Sequence, residues 1–348
     1  MKITSPLSIA SLVLGLTVSL QPTTLMAQGP LTPPGGPAPT MRTLTQIEPR
    51  TPISSAPVTL SIPGSYYLTT NLTVSSGNAI TIATNGVTLD LNGFSITSIA
   101  PGATGIGILL SGGLRNVTVL NGHIQGGVTN NAGTYNGPGF GYGIMFAVPP
   151  PMNVRVAGVS VSGCLFDGID LGTNDTTVVE GCTVRTVGNI GISAAMVKNS
   201  VALGCGGYGI NGKQVSDSRG ESVGVVAGIL ADIAQNCYGS SQSGYGLYAY
   251  RTAQNCYGYS TNSHGLFGGS AQNCYGESGG DGFGLDSYMA NNCRGYTVSG
   301  IGLRCINGVA TACFGSSTSS LGLSARIGIG SIGVGTPPDS VLYKYNMP

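Results

Sequence analysis

The sequence contains no tryptophan, two histidines and few charged side chains. Asp, Glu, Lys and Arg together make up 8% of its 348 residues, and the formal net charge is +1. A surface that binds nucleic acid or an anionic membrane needs a concentrated basic patch, which so few charges do not supply. The scarcity of charge therefore excludes nucleic acid as an expected partner.

The cysteines and histidines also lack the spacing of a metal site. No Cys-x-x-Cys pair occurs, and neither His123 nor His264 stands at a zinc-ligand distance from a cysteine. We expect no metal site and no cofactor. A calcium ion enters only with one alternative function described below.

Long apolar runs are absent after Ala27, so no membrane span is predicted in the mature chain. Residues 1–27 themselves have the pattern of a secretory signal. Lys2 precedes an apolar stretch from Leu7 to Leu20, and Ala27 is a plausible cleavage point. A membrane anchor is the alternative, but the stretch is short and interrupted by Ser and Thr. We predict a secreted protein, extracellular or in a bacterial cell envelope.

Glycine, in contrast, is abundant, with 58 residues, and it recurs with a period. The phrase Ala-Gln-Asn-Cys-Tyr-Gly stands at 234–239, 253–258 and 271–276, and looser copies stand at 290–295 and 310–315. A Gly-x-Gly-apolar phrase follows most copies. A repeat of this length indicates a solenoid, in which each coil buries its inner face against its neighbours.

The repeat extends toward the N-terminus when the cysteine position is used as a marker. The spacing from one marker to the next is 18, 19 or 20, and a Val or Ala stands three residues before each one. The predicted marker series is Cys164, Cys182, Ser200, Ser218, Cys237, Cys256, Cys274, Cys293 and Cys313. The preceding series is Val161, Val179, Val197, Val215, Ala234, Ala253, Ala271, Ala290 and Ala310.

These coils predict an all-β fold, a single-stranded right-handed parallel β-helix (solenoid) with coils of roughly 18–20 residues. A left-handed hexapeptide helix would need an aliphatic residue every six positions, and a calcium-binding nonapeptide roll would need more Asp. The predicted organisation is a signal peptide (1–27), a Pro-rich linker or N-terminal cap (28–57), the β-helix (58–325) with a loop insertion at 126–153, and a C-terminal cap or tail (326–348).

The repeated cysteines and asparagines have structural explanations. Nine cysteines in an exported chain suggest disulfides as one alternative. Cysteines on neighbouring coils would point the same way, however, which strains a bridge, so we expect mostly free, buried thiols. The Asn before each Cys suits a corner in the left-handed backbone region, with its amide bonded to the Asn above and below.

Residues 64–73 (Gly-Ser-Tyr-Tyr-Leu-Thr-Thr-Asn-Leu-Thr) and 85–93 (Asn-Gly-Val-Thr-Leu-Asp-Leu-Asn-Gly) resemble the opening coils of bacterial secreted proteins with pectin-lyase-like parallel β-helix repeats (PbH1-type). The resemblance covers residues 58–325. It implies the fold, but this fold carries lyases, hydrolases, epimerases, adhesins and inert surface rods, so it does not imply one activity.

Acidic residues are the first candidates for a site, because enzymes of this fold work with carboxylates. Phe166-Asp167-Gly168-Ile169-Asp170 resembles part of a polygalacturonase motif, but the paired Asp, the Gly-His-Gly and the basic motif that should follow are missing. A pectate-lyase-like mechanism would instead need several acids for Ca²⁺ and an Arg or Lys base. The densest candidates are Asp167, Asp170, Asp175 and Glu180, with Arg185. The alternative for these acids is a set of solvated turn residues.

Aromatic residues are the second candidates. Tyr238, Tyr257, Tyr275, Arg294 and Phe314 each follow a marker Cys. If the Cys points inward, strand alternation turns these residues outward, where a column of rings could stack sugars. The alternative is that each Tyr packs on the next coil or fills a core that Ala234, Ala253 and Ala271 leave roomy.

The function predicted from the sequence is a secreted or cell-surface β-helix module that contacts carbohydrate or is structural, and is not catalytic. Its ligand-binding candidates are Tyr238, Tyr257, Tyr275 and Arg294, and a polysaccharide or cell-surface glycan is the expected partner. The alternative is a polysaccharide lyase or glycoside hydrolase that acts on uronate-containing glycans. A purely structural envelope rod is a third alternative.

Overall fold

The computed structural model describes residues 49–174 and 176–347. The predicted signal peptide, most of the Pro-rich segment and Asp175 lie outside these residues. The described residues form β-strands and turns with no helix, and therefore include no helix able to cross a membrane.

All but two of the strands belong to one 31-stranded sheet, which winds into coils; β10 and β11 form a separate hairpin. The strands are β1 (Thr51–Ile53), β2 (Val58–Leu60), β3 (Gly64–Leu68), β4 (Leu72–Val74), β5 (Ile80–Ile82), β6 (Val87–Asp90), β7 (Ser95–Ser98), β8 (Ile106–Leu110), β9 (Arg115–Gln125), β10 (Thr129–Asn131), β11 (Thr134–Asn136), β12 (Tyr142–Phe146), β13 (Met152–Cys164), β14 (Ile169–Asp170), β15 (Thr177–Glu180), β16 (Thr183–Val187), β17 (Ile192–Lys198), β18 (Val201–Cys205), β19 (Ile210–Ser216), β20 (Arg219–Ser222), β21 (Ile229–Gln235), β22 (Tyr238–Ser241), β23 (Leu247–Gln254), β24 (Tyr257–Ser260), β25 (Leu266–Gln272), β26 (Tyr275–Ser278), β27 (Leu285–Asn291), β28 (Arg294–Thr297), β29 (Leu303–Thr311), β30 (Phe314–Ser317), β31 (Leu323–Ile329), β32 (Ile332–Val334) and β33 (Asp339–Tyr345).

Every pairing in the large sheet is parallel, and the pairings define three faces of a solenoid. The first face contains β1, β3, β6, β15 and the later halves of strands such as β21 and β23. The second face contains β4, β7, β16, β18 and then β20, β22, β24, β26, β28, β30 and β32. The third face contains β2, β5, β8, β12, β14 and the opening halves of strands such as β21 and β23. The predicted parallel β-helix is confirmed.

The coils extend beyond the predicted limits of 58–325. Strand β1 pairs with β3 as a regular coil, and β33 pairs with β31 along its whole length to Tyr345. Within the predicted insertion, β12 is an ordinary strand of the third face. The part that departs from the coil is the β10–β11 hairpin, which rests on the solenoid through a hydrogen bond from Tyr135 Oη to the carbonyl of Gly204 (2.8 Å).

The core is a narrow column of small and aliphatic side chains. On the first face, Val179, Val197 and Val215 stack on Ala234 and Ala253 in register, as the sequence predicts, and all are buried. Side chains along each strand alternate between this core and solvent. Because alanine and cysteine fill the interior of the later coils, the tyrosines that follow the cysteines stand outside it.

The corner between the first and second faces fixes the register. Here the backbone turns through one residue in the left-handed region, with φ of 52° at Asn255 and 53° at Asn236. The same conformation recurs at Gly181, Asn199 and Asp217. Asn and Gly adopt it at low cost, which confirms the predicted reason for the repeated asparagine.

One part of the predicted marker series is wrong. Ser160 pairs with Thr183, which places Val159, and not Cys164, opposite Cys182. Cys164 lies at the far end of the second face, where it pairs with Val187, which pairs in turn with Cys205. The coil before Cys182 carries extra turn residues around Asn174, so counting back by one period of 18 residues stops five residues short of Val159. All nine cysteines are nevertheless free and buried, as predicted.

The left-handed corner yields a stability prediction at Ala312, an exposed alanine with φ of 50°. An L-residue other than Asn or Gly pays roughly 1–2 kcal/mol in this region. Ala312→Asn should therefore raise the free energy of unfolding by about 1 kcal/mol, measured as a shift in the urea midpoint. Ala312→Gly is the control, because it relieves the backbone without adding an amide. A less stable Asn variant would contradict this account.

Candidate functional site

The asparagines of the corner form a hydrogen-bonded ladder on the outer surface. Each Nδ2 donates to the side-chain Oδ1 one coil earlier: Asn236 to Asp217 (2.9 Å), Asn255 to Asn236 (3.1 Å), Asn273 to Asn255 (3.1 Å) and Asn292 to Asn273 (2.9 Å). We call this row the Asn ladder. Each of its amides keeps one N–H and one acceptor lone pair for solvent or a ligand.

The aromatic residues that follow the cysteines form a parallel row beside this ladder. Strand pairing places one above another, in register, Arg219, Tyr238, Tyr257, Tyr275, Arg294 and Phe314. We call this row the Tyr column. Tyr275 is 38% exposed, and Tyr238 and Tyr257 are half-buried, so the column faces outward, as strand alternation predicts.

The rings of the Tyr column contact one another. Tyr257 stacks on Tyr275, with ring centroids 5.1 Å apart and planes 15° apart, whereas Tyr238 meets Tyr257 edge-on, with centroids 5.1 Å apart and planes 65° apart. The guanidinium of Arg219 lies 4.9 Å from the Tyr238 ring centre. Stacking therefore covers one face each of Tyr257 and Tyr275, and Arg219 covers one face of Tyr238. The ring edges and hydroxyls remain for contact.

A groove runs between the Asn ladder and the Tyr column. Its main section has a volume of about 580 Å³ and is lined by Asp217, Asn236, Asn255 and Asn273 on one side and by Arg219, Tyr238, Tyr257 and Tyr275 on the other. A second section of about 310 Å³ continues it past Asn292, Arg294 and Phe314. The groove follows the axis of the coils and repeats the same pair of amide and phenol groups at three successive coils.

Charge in the groove is confined to a few groups. Arg219 Nη2 lies 3.9 Å from Glu221 Oε2, and Tyr257 Oη donates to Glu277 Oε2 (2.7 Å). Burial and the Glu277 carboxylate raise the pKa of Tyr257, so its hydroxyl stays protonated at neutral pH. Arg294 packs on the Phe314 ring at 5.5 Å and forms no ion pair with another described residue.

The acidic candidates are distributed over different faces. Asp167 and Asp170 lie on the third face, beside Tyr142, which stacks on Phe166 at 5.0 Å. Arg185 lies on the second face, where it pairs with Ser162 and Leu203. Asp175 lies outside the described residues. The structure thus brings Asp167 and Asp170 near one another, but not Arg185.

Glu180 has a structural role on the first face. Its carboxylate accepts ion pairs from Arg155 Nη2 (2.9 Å) and Lys198 Nζ (3.1 Å), and these cations lower the pKa of Glu180. Across residues 49–174 and 176–347, no three His, Cys, Asp or Glu side chains come together in a way that could hold a metal ion. Ca²⁺ takes six to eight oxygen ligands, and the Asp167–Asp170 pair alone does not fit it.

Asp167 is a buried carboxyl with a raised pKa. It is 8% exposed, and its Oδ1 accepts hydrogen bonds from Asn189 Nδ2 (2.8 Å) and the Ile190 amide (2.9 Å). Burial raises the pKa of Asp167, assisted by the charge of Asp170, and the two hydrogen bonds oppose this rise. The buried carboxyl joins two successive coils, which is a structural use of the residue.

Two features of the groove are not among the site residues expected from the sequence. The Asn ladder is visible in the sequence as the Asn before each Cys. The left-handed backbone at the corner already explains these residues, so the sequence does not indicate that their side chains form one wall of the groove. Arg219 extends the Tyr column by one coil; it follows the marker Ser218, but the candidates predicted from the sequence all follow a marker Cys. Pairing of Arg219 with Tyr238 is what identifies it.

Comparisons with known proteins do not assign the chain to a family. No family model and no curated protein matches it. Among solved structures, it is similar to the A-module of the mannuronan C-5 epimerase AlgE4 from Azotobacter vinelandii, with 13% identity over 82% of this chain and 88% of that chain and a TM-score of 0.40. At this level of likeness, the comparison says nothing about the activity of this chain.

The raised pKa of Asp167 gives a pH prediction. The folded state favours the protonated form of Asp167. The contribution of this carboxyl to the free energy of unfolding is therefore fully present below its pKa in the unfolded chain, and it is lost as pH rises through its pKa in the folded protein. Asp167→Asn keeps an Oδ1 acceptor and removes the charge. Its advantage in urea midpoint over the wild type should grow from about pH 3 to about pH 7. The exposed Asp281→Asn controls for loss of one charge, and an advantage of Asp167→Asn that shrinks with rising pH would refute the assignment.

Proposed function

We propose that this protein is a non-catalytic β-helix module that contacts a polysaccharide along the groove between the Asn ladder and the Tyr column. The observation that carries the proposal is the linear repetition of the groove. The same amide and phenol recur at intervals of about 4.8 Å, the rise of one coil. A polymer with repeated hydroxyl groups is the ligand class that matches a repeated row of donors and acceptors.

The polar groups of the groove support a hydroxylated ligand. Each ladder amide offers one N–H and one carbonyl lone pair, held in place by its neighbours, so little conformational entropy is lost on binding. The Tyr column offers hydroxyls and ring edges in a fixed stack. Few convergent polar groups on a rigid surface are typical of a recognition site.

The charges of the groove suit a chain that is mostly neutral. Arg219 and Arg294 bracket the three tyrosines, and Arg294 is without an ion-pair partner among the described residues. An occasional acidic substituent on the glycan would pair with Arg294. The extracellular or cell-envelope location predicted from residues 1–27 belongs to this proposal, because it would place the groove among such polymers.

The lyase or hydrolase alternative has less support. A glycosidase needs two carboxyl groups that flank one bond, and a lyase needs a base beside its acids. Asp167 uses one oxygen on Asn189 and Ile190, Asp170 Oδ1 accepts from the Gly172 amide (2.9 Å), and Arg185 is on another face. Release of unsaturated uronates or reducing ends from a polysaccharide panel would favour this alternative.

The groove is tested by replacing one ring of the Tyr column. Tyr257→Ala removes the central ring and hydroxyl, and should weaken polysaccharide binding about tenfold, the loss of roughly 1.4 kcal/mol. Retardation in native gels that contain soluble neutral or uronate-containing polysaccharides measures the affinity. Tyrosine fluorescence gives a second readout, because the chain has no tryptophan.

The matched control is Tyr259→Ala. Tyr259 lies two residues along the same strand, pairs with Ser240 and Glu277, and stands outside the groove lining. Its replacement should change the affinity less than twofold. The proposal fails if no polysaccharide retards the wild type, or if both variants lose binding equally.

A further inference from the structure

The third face carries a second aromatic row with one ring missing. Tyr208, Ala227, Tyr245, His264 and Phe283 each stand two residues before the paired residues of the third face. They therefore occupy equivalent positions on successive coils. Four of the five carry rings, and Ala227 interrupts the row between Tyr208 and Tyr245.

The part of the row that follows Ala227 in sequence is held by stacking of its rings. Ring centroids are 4.8 Å apart from Tyr245 to His264 and again from His264 to Phe283. The guanidinium of Arg304 lies 3.7 Å from the Phe283 ring centre and forms two hydrogen bonds to the buried Asp286 (2.9 and 2.6 Å). Tyr245 is thus the rigid end of a stack.

His264 is fixed within this stack. Its Nδ1 accepts a hydrogen bond from the Phe283 amide (2.8 Å), and burial lowers the pKa of His264, so the ring stays neutral. A neutral ring between two aromatic faces adds no charge to the row. Besides His264, Tyr245 contacts the rings of Tyr248 and Phe267, both edge-on, and among the described residues no ring stacks on it from the Ala227 coil or the coil before it. Tyr208 makes no ring contact with any described residue.

The gap is a pocket with polar rims. Its volume is about 350 Å³, and Tyr208 and Tyr245 lie at its ends, with Ala227 and Leu230 at its base and Tyr248 and Tyr250 along one side. Tyr248 packs edge-on against Tyr245 (4.9 Å) and Tyr250 (4.9 Å), and Tyr250 is 57% exposed. Among the described residues, no charged side chain lines the pocket, whereas four phenol groups do.

The height of the gap discriminates between flat and puckered ligands. Two coils separate Tyr208 from Tyr245, which corresponds to roughly 9.6 Å along the axis at about 4.8 Å per coil. Two optimal carbon–carbon contacts of about 3.5–4.0 Å take up roughly 7–8 Å of this height. A flat aromatic ring leaves the remainder empty, and a puckered pyranose ring fills it.

We propose that this pocket binds a single neutral pyranose ring, sandwiched between Tyr208 and Tyr245 over Ala227. The apolar C–H faces of the sugar would contact the two rings, and its hydroxyls would reach the phenols of the pocket. The site lies on the third face, so it does not rest on the groove of the second face. It gives the module a second point of contact with a glycan.

The test uses saturation-transfer NMR on the full chain with methyl glycosides of neutral hexoses as probes. Phenol and a methyl glucuronide are the comparison ligands. The wild type should transfer saturation to the ring C–H protons of at least one neutral glycoside. Ala227→Phe places a ring in the gap and should reduce that signal at least fivefold, and its thermal midpoint should not fall below that of the wild type.

A second variant keeps the proposal testable if Ala227→Phe does not fold. Tyr250→Ala removes an exposed rim residue and should weaken glycoside binding at least threefold. Tyr288→Ala, 52% exposed on the same side of the molecule but outside the pocket lining, is the matched control and should have no effect. Tyr257→Ala should also leave this signal unchanged, which separates the pocket from the groove.

The proposal is overturned by any of three results: no neutral glycoside signal in the wild type, stronger binding of phenol than of any glycoside, or full retention of binding in folded Ala227→Phe.

Discussion

The left-handed corner between the first and second faces is the constraint on which the rest of the molecule depends. A single residue with φ near +50° turns the chain from one face to the next within each coil, and Asn, Asp or Gly occupies it in most coils. Because the corner takes the same number of residues in each coil from β9 onward, the strands after it start in register. The Asn ladder, the buried row of Cys237, Cys256, Cys274, Cys293 and Cys313, and the Tyr column all follow from this register.

A second constraint is the close approach of backbone to backbone where the second face turns toward the third. A Cβ on Gly239 would lie 2.3 Å from the carbonyl oxygen of Gly246, and a Cβ on Gly246 would lie 2.2 Å from the amide nitrogen of Tyr259. Backbone therefore packs directly on backbone there, and only glycine fits. The narrow interior that results in these coils accepts Ala and Cys, and it leaves their tyrosines at the surface. The location of the aromatic rows is thus a consequence of packing in the core.

Stacking of identical residues on successive coils supplies the groups that the groove offers for contact. It also covers some of their ring faces. Rings that stack on each other at 5.1 Å, as Tyr257 and Tyr275 do, cover the faces that a sugar would otherwise use. The groove consequently presents hydroxyl edges and amides. On the third face, Ala227 breaks such a row and leaves a pocket between Tyr208 and Tyr245. One small residue in an aromatic row therefore makes a different kind of contact surface from a complete row.

The sequence by itself determined the fold, since a short, regular period with Asn and Gly at fixed places leaves few architectures that bury small residues on successive coils. It also determined that Tyr238, Tyr257 and Tyr275 share one row, because alternation within strands is strict. Only the tertiary structure decided whether their faces are open, since that depends on ring rotamers in adjacent coils. Only the tertiary structure showed that Arg185 lies on a different face from Asp167 and Asp170. The face that a residue occupies depends on where each corner of the coil falls, and the long turn near Asn174 shifts the position of the corners that follow it. The gap over Ala227 likewise exists only when Tyr208 and Tyr245, which are distant in sequence, are brought to either side of it.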